Sequence, residues 1–184
     1  DAGMLVPTGF NIGTILPIPL IYRWIYSFFS PGQGASLEFY QKMEKVYQKG
    51  GYKLLGYADQ GFRVMSTNKN VKSINAFKGQ KIRTMENSYH LKFWKTLGAN
   101  PTPMTFSEVY IGLQQGTIDA QENPYEVIVS SKLYEQQDYV VETNHLPHYI
   151  SLIVSDEFYN SLSKDQQKII DQASQTAKVY AREA

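Results

Sequence analysis

Cysteine is absent from the 184 residues. Disulfides, thiol nucleophiles and cysteine-ligated zinc are thereby excluded. A chain without thiols suits an oxidising compartment as well as a reducing one. Histidine is nearly as scarce, with three copies. His145 and His148 stand three apart, but Pro147 between them breaks the helix that a two-histidine metal face needs. Ordinary loop histidines are expected, with no metal and no cofactor. Excess charge is missing too. Eighteen Lys and Arg against seventeen Asp and Glu leave a net charge of +1, which gives no electrostatic case for nucleic acid or an anionic membrane.

A membrane span needs about 20 mostly apolar residues. The most apolar stretch, Ile12 to Phe29, is interrupted by Pro17, Pro19 and Arg23, so it reads as a core or cleft wall. No repeat or low-complexity segment stands out. No signal peptide is visible, and Asp1 in place of methionine suggests a processed or truncated start. Catalytic signatures are lacking as well: no G-x-S-x-G elbow, no phosphate-binding G-x-x-x-x-G-K-[ST], and no G-x-G-x-x-G after a strand. Asp119 and Glu122 sit three apart at a strand-to-turn junction and face opposite ways. A small hydrolase or lyase using Glu86, Asp119 or a histidine is therefore a distant alternative.

Aromatic residues are plentiful, with 14 Tyr, 9 Phe and 2 Trp, as suits a folded protein with a ligand cleft. Strands and helices alternate. Asp1 to Val6 reads as a strand in progress. A helix over Ala35 to Lys49 with Phe39, Met43, Val46 and Tyr47 on one face ends at Gly50-Gly51. Strands Tyr52 to Ala58 and Phe62 to Ser66 flank a turn at Asp59-Gln60-Gly61. Ser73 caps a short helix that closes at Gly79. Strand Lys81 to Met85 leads to a helix capped by Asn87 or Ser88, with Leu91, Trp94 and Leu97 inward.

Pro101 and Pro103 force an extended link. Ser107 caps the next helix, which buries Val109, Tyr110 and Leu113 and stops at Gly116. Strand Thr117 to Gln121 and a helix from Asn123-Pro124 to about Glu135 follow. Strands are expected at Tyr139 to Glu142 and Tyr149 to Val154. Ser163 and Gln166 form a capping box, and the last helix turns Ile169, Ile170, Ala173, Ala177 and Tyr180 inward. The alternation predicts an α/β fold with mostly parallel sheets flanked by helices.

In such a sheet, ligands sit beyond the carboxyl ends of strands. Arg83 lies near the end of one strand, Asn123 follows another, and Phe106 closes the proline link. Arginine holds a carboxylate with a planar, permanently charged fork. Asparagine can donate to a second oxygen, and the ring can form an apolar wall. Taken singly, each has a plainer role, as surface ion pair, cap or core.

The segments Lys81-Ile-Arg-Thr-Met-Glu-Asn87, Leu97-Gly-Ala-Asn-Pro-Thr-Pro-Met104, Phe106-Ser-Glu-Val-Tyr110 and Asp119-Ala-Gln-Glu-Asn-Pro124 closely resemble the solute-binding proteins of tripartite ATP-independent periplasmic (TRAP) transporters, the DctP-like family. The resemblance implies a two-lobed, type II periplasmic binding protein, here truncated at both ends. Residues 1–60 would form part of lobe I, 61–147 lobe II, and 148–184 the return to lobe I with a long connecting helix. Hinges are expected near Asp59 to Gly61 and near Pro147.

By the same resemblance Arg83 salt-bridges the ligand carboxylate, and Arg63 is a second ligand-contacting arginine. Asn123 fixes Arg83 or the carboxylate, and Phe106 packs on the ligand body. Glu86 stands at a polar contact position. Tyr22, Trp24 and Tyr26 resemble the lobe I cleft wall, and Val6 disfavours a sialic-acid ligand. The implied protein is a periplasmic monomer that passes a small organic acid, such as a 2-oxo acid, lactate or C4-dicarboxylate, to a TRAP permease. A ligand sensor serving a receptor is the alternative within the same binding class.

Overall fold

The computed structural model describes residues 6–11 and 34–183. Its strands are β1 (Val6–Asn11), β2 (Tyr52–Thr67), β3 (Lys81–Thr84), β4 (Asn100–Pro103), β5 (Ala120–Asn123) and β6 (Tyr139–Ser155). Its α-helices are α1 (Gly34–Lys49), α2 (Ser88–Thr96), α3 (Val109–Gln114), α4 (Tyr125–Ser130), α5 (Asp156–Ser161) and α6 (Lys164–Glu183). The strands form one sheet in the order β1-β6-β2-β5-β3-β4. β3 runs parallel to both β4 and β5, and β1 parallel to β6, while β2 and β5 are antiparallel.

The described chain divides into two compact units. One holds β1 and Phe62–Pro147. The other holds α1, β2 as far as Gly61, and the chain from His148 onward. Residues 1–60 were expected together; instead β1 joins the first unit, pairing Val6 with Tyr139 and Pro7 with Val140.

In the first unit two cores sandwich the sheet. Met65, Ile82 and Ala120 face one way, with Val71, Phe77 and Trp94. Val64, Val109, Leu113, Ile118, Ile128 and Leu133 fill the other side. The alternation of side chains along each strand produces this division. α2 starts where Asn87 accepts from the main-chain N–H groups of Tyr89 and His90, as expected of a capping residue. Its inner face carries Trp94, in edge contact with Phe77 at 5.7 Å.

The proline link is a true strand. β4 ends the sheet order, and its inward main-chain N–H groups reach across, Asn100 to Gln80 at 2.8 Å and Met104 to Thr84 at 3.3 Å. Pro101 and Pro103 alternate with these, so the N–H groups they lack would have faced outward.

In the second unit α1 packs through Tyr47, whose hydroxyl lies 2.6 Å from Ser151 Oγ on β6, and through Tyr40, which donates to the Leu54 carbonyl. Lys178 of α6 reaches the Leu55 carbonyl. Gly56 leaves it room, since a Cβ there would collide with the Lys178 side chain.

Several local expectations are corrected. β2 and β6 are each continuous, where two strands and a turn were expected. Gly61 (φ +71), at the expected turn, and Asn144 (φ +43), in the expected gap between strands, take left-handed conformations within them; both residue types tolerate that region. The helix after β4 is preceded by a turn whose N-cap is Thr105, not Ser107. Pro124 takes the N-cap of α4, which ends at Ser130 before a separate turn over Leu133–Glu135. Ser73 stands at a cap position without a side-chain bond.

Val46, Ile169 and Tyr180 are exposed rather than buried. α6 instead buries Ser174, with Ile170 and Lys178 half-buried. The capping box is present: Ser163 Oγ accepts from Gln166 N–H, and Gln166 Oε1 accepts from Ser163 N–H. The expectations for Asp1 to Leu5 and for the Ile12 to Phe29 stretch, with Tyr22, Trp24 and Tyr26, fall outside the described residues.

Candidate functional site

Arg83 projects from β3 toward the β4–α3 side of the sheet. Nε and one Nη donate to the Met104 carbonyl at 2.9 and 2.7 Å. One edge of the guanidinium is thus held by main chain, and the other edge has no partner among the described residues. Its carbon lies 5.6 Å from the centre of the Phe106 ring, within cation–π range. Phe106 itself is 44% exposed, which leaves ring surface free to cover something else. Burial lowers the pKa of Arg83; Glu122 opposes the shift and Arg63 adds to it. An arginine so shifted stays charged at any working pH.

Arg63 and Glu122 form a buried ion pair beside it. Arg63 Nε lies 2.6 Å from Glu122 Oε2, and an Nη donates to Glu122 Oε1, to its main-chain oxygen, and to Asn123 Oδ1. Arg63 is therefore committed to protein groups over one whole face. Asn123 is fixed by Arg63 and by Gln121 Oε1, 2.7 Å from Nδ2. It forms no hydrogen bond with Arg83, contrary to one of its expected roles.

Glu122 also receives His145 Nε2 at 3.0 Å, with His90 Nδ1 at 3.5 Å. Burial alone would raise the Glu122 carboxyl; the contacts with His145, His90 and Arg63 outweigh it and hold the group far below the usual carboxylate range. Burial lowers His145, against the pull of Glu122. Neutral His145 then carries its proton on Nε2, for Glu122, and accepts from the Thr143 hydroxyl on Nδ1 at 2.8 Å.

His145 was expected in a loop but lies in β6; His90 lies in α2 as its helix was expected to run, and both converge on one acid. Asp119 faces elsewhere, accepting from the Lys81 N–H at 2.8 Å. Glu86 is exposed in the turn after β3, without a hydrogen bond to the described residues.

The structure thus brings Arg83 and Phe106 into contact, places Asn123 two residues beyond the β5 neighbour of Arg83, and turns Arg63 inward. Sequence reasoning missed Glu122, His90, His145 and Gln121. The polar run Gln121-Glu122-Asn123 was the available signal; all four positions of β5 are buried, and buried polar groups demand partners. No His, Asp and Glu group fit to hold a metal occurs among the described residues. No described helix is long and apolar enough to cross a membrane.

A solute-binding protein of Verminephrobacter eiseniae is 44% identical over 131 residues, covering 70% of this chain and 39% of its own length. The sialic acid-binding periplasmic protein SiaP of Vibrio cholerae is 36% identical, covering 72% of this chain and 41% of its own length. The chain therefore spans less than half of these relatives. A TRAP periplasmic solute-binding protein of Polaromonas, solved with D-erythronate, superposes with a TM-score of 0.77 at 34% identity, over 94% of this chain and 58% of that one. That likeness gives the chain the fold of the two-lobed periplasmic binding proteins. The model of the bacterial extracellular solute-binding proteins, family 7 (DctP), matches residues 32–184, and the chain belongs to that family.

Proposed function

We propose that the protein captures a small organic carboxylate through Arg83 and delivers it to a TRAP membrane permease. The observation that carries this reading is the geometry of Arg83. Met104 holds one edge of its guanidinium, and the remaining donors suit the two oxygens of a carboxylate. Phe106 supplies an apolar wall beside it, and Glu86 is a candidate to meet a ligand hydroxyl or amine. Arg63 supports the site from behind by holding Asn123. Neighbours solved with D-erythronate and with succinate support a small organic acid as the ligand class.

A ligand shifts a conformational equilibrium only toward the form it contacts more extensively. The ligand-closed protein is then the form that a permease would recognise. Calorimetric titration with mono- and dicarboxylates tests the reading. Saturating acid at about 100 times its dissociation constant should stabilise the protein by about 2.7 kcal/mol, and Arg83→Ala should remove that gain. An undiminished gain in the variant would take Arg83 out of the site.

A further inference from the structure

The amides around Asn123 have no choice in the direction they face. A guanidinium only donates, and Arg63 donates to Asn123 Oδ1 at 2.9 Å. Asn123 must therefore turn its nitrogen to Gln121 Oε1, at 2.7 Å. That commits Gln121 Nε2 to Ser66 Oγ, at 2.8 Å. Ser66 then sends its hydroxyl hydrogen to Gln137 Oε1 at 3.2 Å. Gln137 Nε2 ends the series on the main-chain oxygens of Gln136 and Asp119, at 3.1 and 3.4 Å. The series begins on a cation that cannot accept and finishes on carbonyls that cannot donate, so each link has one polarity.

Ser66, Gln121, Asn123 and Gln137 are all buried, so water competes weakly and bonds in series strengthen one another. Gln121 is also the register partner of Arg83 across the parallel β5–β3 pair. Residues in register on neighbouring strands share a face, as do residues two apart. Arg83, Gln121 and Asn123 therefore lie on one side of the sheet. One N–H of Asn123 Nδ2 is used by Gln121; the second has no partner among the described residues.

We infer that Gln121 is a positioning residue: through this one-way series it sets the amide of Asn123, whose donation to the carboxylate held by Arg83 is what the family resemblance already implies. The inference rests on the reading of Arg83 as the carboxylate anchor. It makes this part of the site donor-only. An anionic oxygen is welcomed from two directions, and a neutral amide carbonyl gains less from each.

The test combines affinity with stability. Wild type, Gln121→Met, Ser66→Ala and Gln137→Met are titrated with D-erythronate, sialic acid and succinate. Each variant leaves a buried polar atom unpaired, so all three should melt earlier by similar amounts. Affinity should instead fall with proximity to Asn123: about tenfold for Gln121→Met, and roughly threefold or less for the two remoter changes. Equal affinity losses, or none, alongside lower melting temperatures would overturn the inference.

If Arg83→Ala binds as tightly as wild type, the anchor reading fails on its own. The series is then judged by hydrogen exchange of the Asn123 side-chain amide, followed by NMR. The same measurement decides if none of the three acids binds. Exchange should speed up at least about tenfold in Gln121→Met; unchanged exchange would overturn the inference.

Discussion

The guanidinium of Arg83 and the carbonyl of Met104, 21 residues apart in sequence, are joined by two hydrogen bonds at 2.9 and 2.7 Å. The fork is therefore oriented before any ligand arrives, and little rotamer freedom is left to lose on binding. Lysine in its place keeps the charge but loses the planar fork. Arg83→Lys should weaken carboxylate binding at least tenfold, about 1.4 kcal/mol, with little change in the unfolding midpoint. Titration calorimetry and thermal melts check both halves.

Met104 is held in turn by a close packing contact. A Cβ added to Gly112 would lie 3.2–3.3 Å from Ile118 and from the Met104 sulfur. Gly112→Ala should cost about 1–3 kcal/mol through overpacking. It should also weaken ligand binding by displacing the Arg83 carbonyl partner. Urea unfolding gives the first number, titration the second.

Glu122 neutralises Arg63 in a site closed to solvent. Removing one member of such a pair strands the other, at a cost of about 3–5 kcal/mol. Glu122→Ala should therefore unfold far more readily than wild type in urea. A loss below about 1 kcal/mol would mean that water reaches Arg63.

Acid should weaken the fold in two stages. His145 has a folded pKa below its ordinary 6.5, so between the two values the unfolded chain binds the extra proton. Stability is thus fully present above pH 6.5 and falls as pH drops through that window. Glu122, depressed from 4.5, adds a second loss below that value by the same sign. Urea midpoints measured from pH 8 to 4 should decline below 6.5, and His145→Asn should flatten the first stage.

The α/β alternation, the Asn87 cap, and the Ser163–Gln166 box were legible because they depend on near neighbours. Arg83, Asn123 and Phe106 were grouped at one edge because each lies at or just beyond the end of an extended segment, and the contact between Arg83 and Phe106 is one such meeting. What stayed hidden depends on distance along the chain. Arg63 meets Glu122 across 59 residues, and His145 meets it across 23; no local pattern announces such partners. The continuity of β2 and β6 was missed for a related reason. Gly61 and Asn144 carry turn chemistry, but pairing with neighbouring strands kept the backbone extended around them. α6 was misread through its composition: its apolar residues outnumber the positions that the fold covers, and Ser174 holds the inner face instead.

The missing N–H groups of Pro101 and Pro103 reach beyond the molecule's own fold. β4 borders the sheet, and a bare strand at such a margin would offer a ladder onto which another chain could add. Imino acids at both outward positions take away the donors that a docking strand would need. A strand docking here would find no main-chain donor at either position, which disfavours recruitment of further copies from this side.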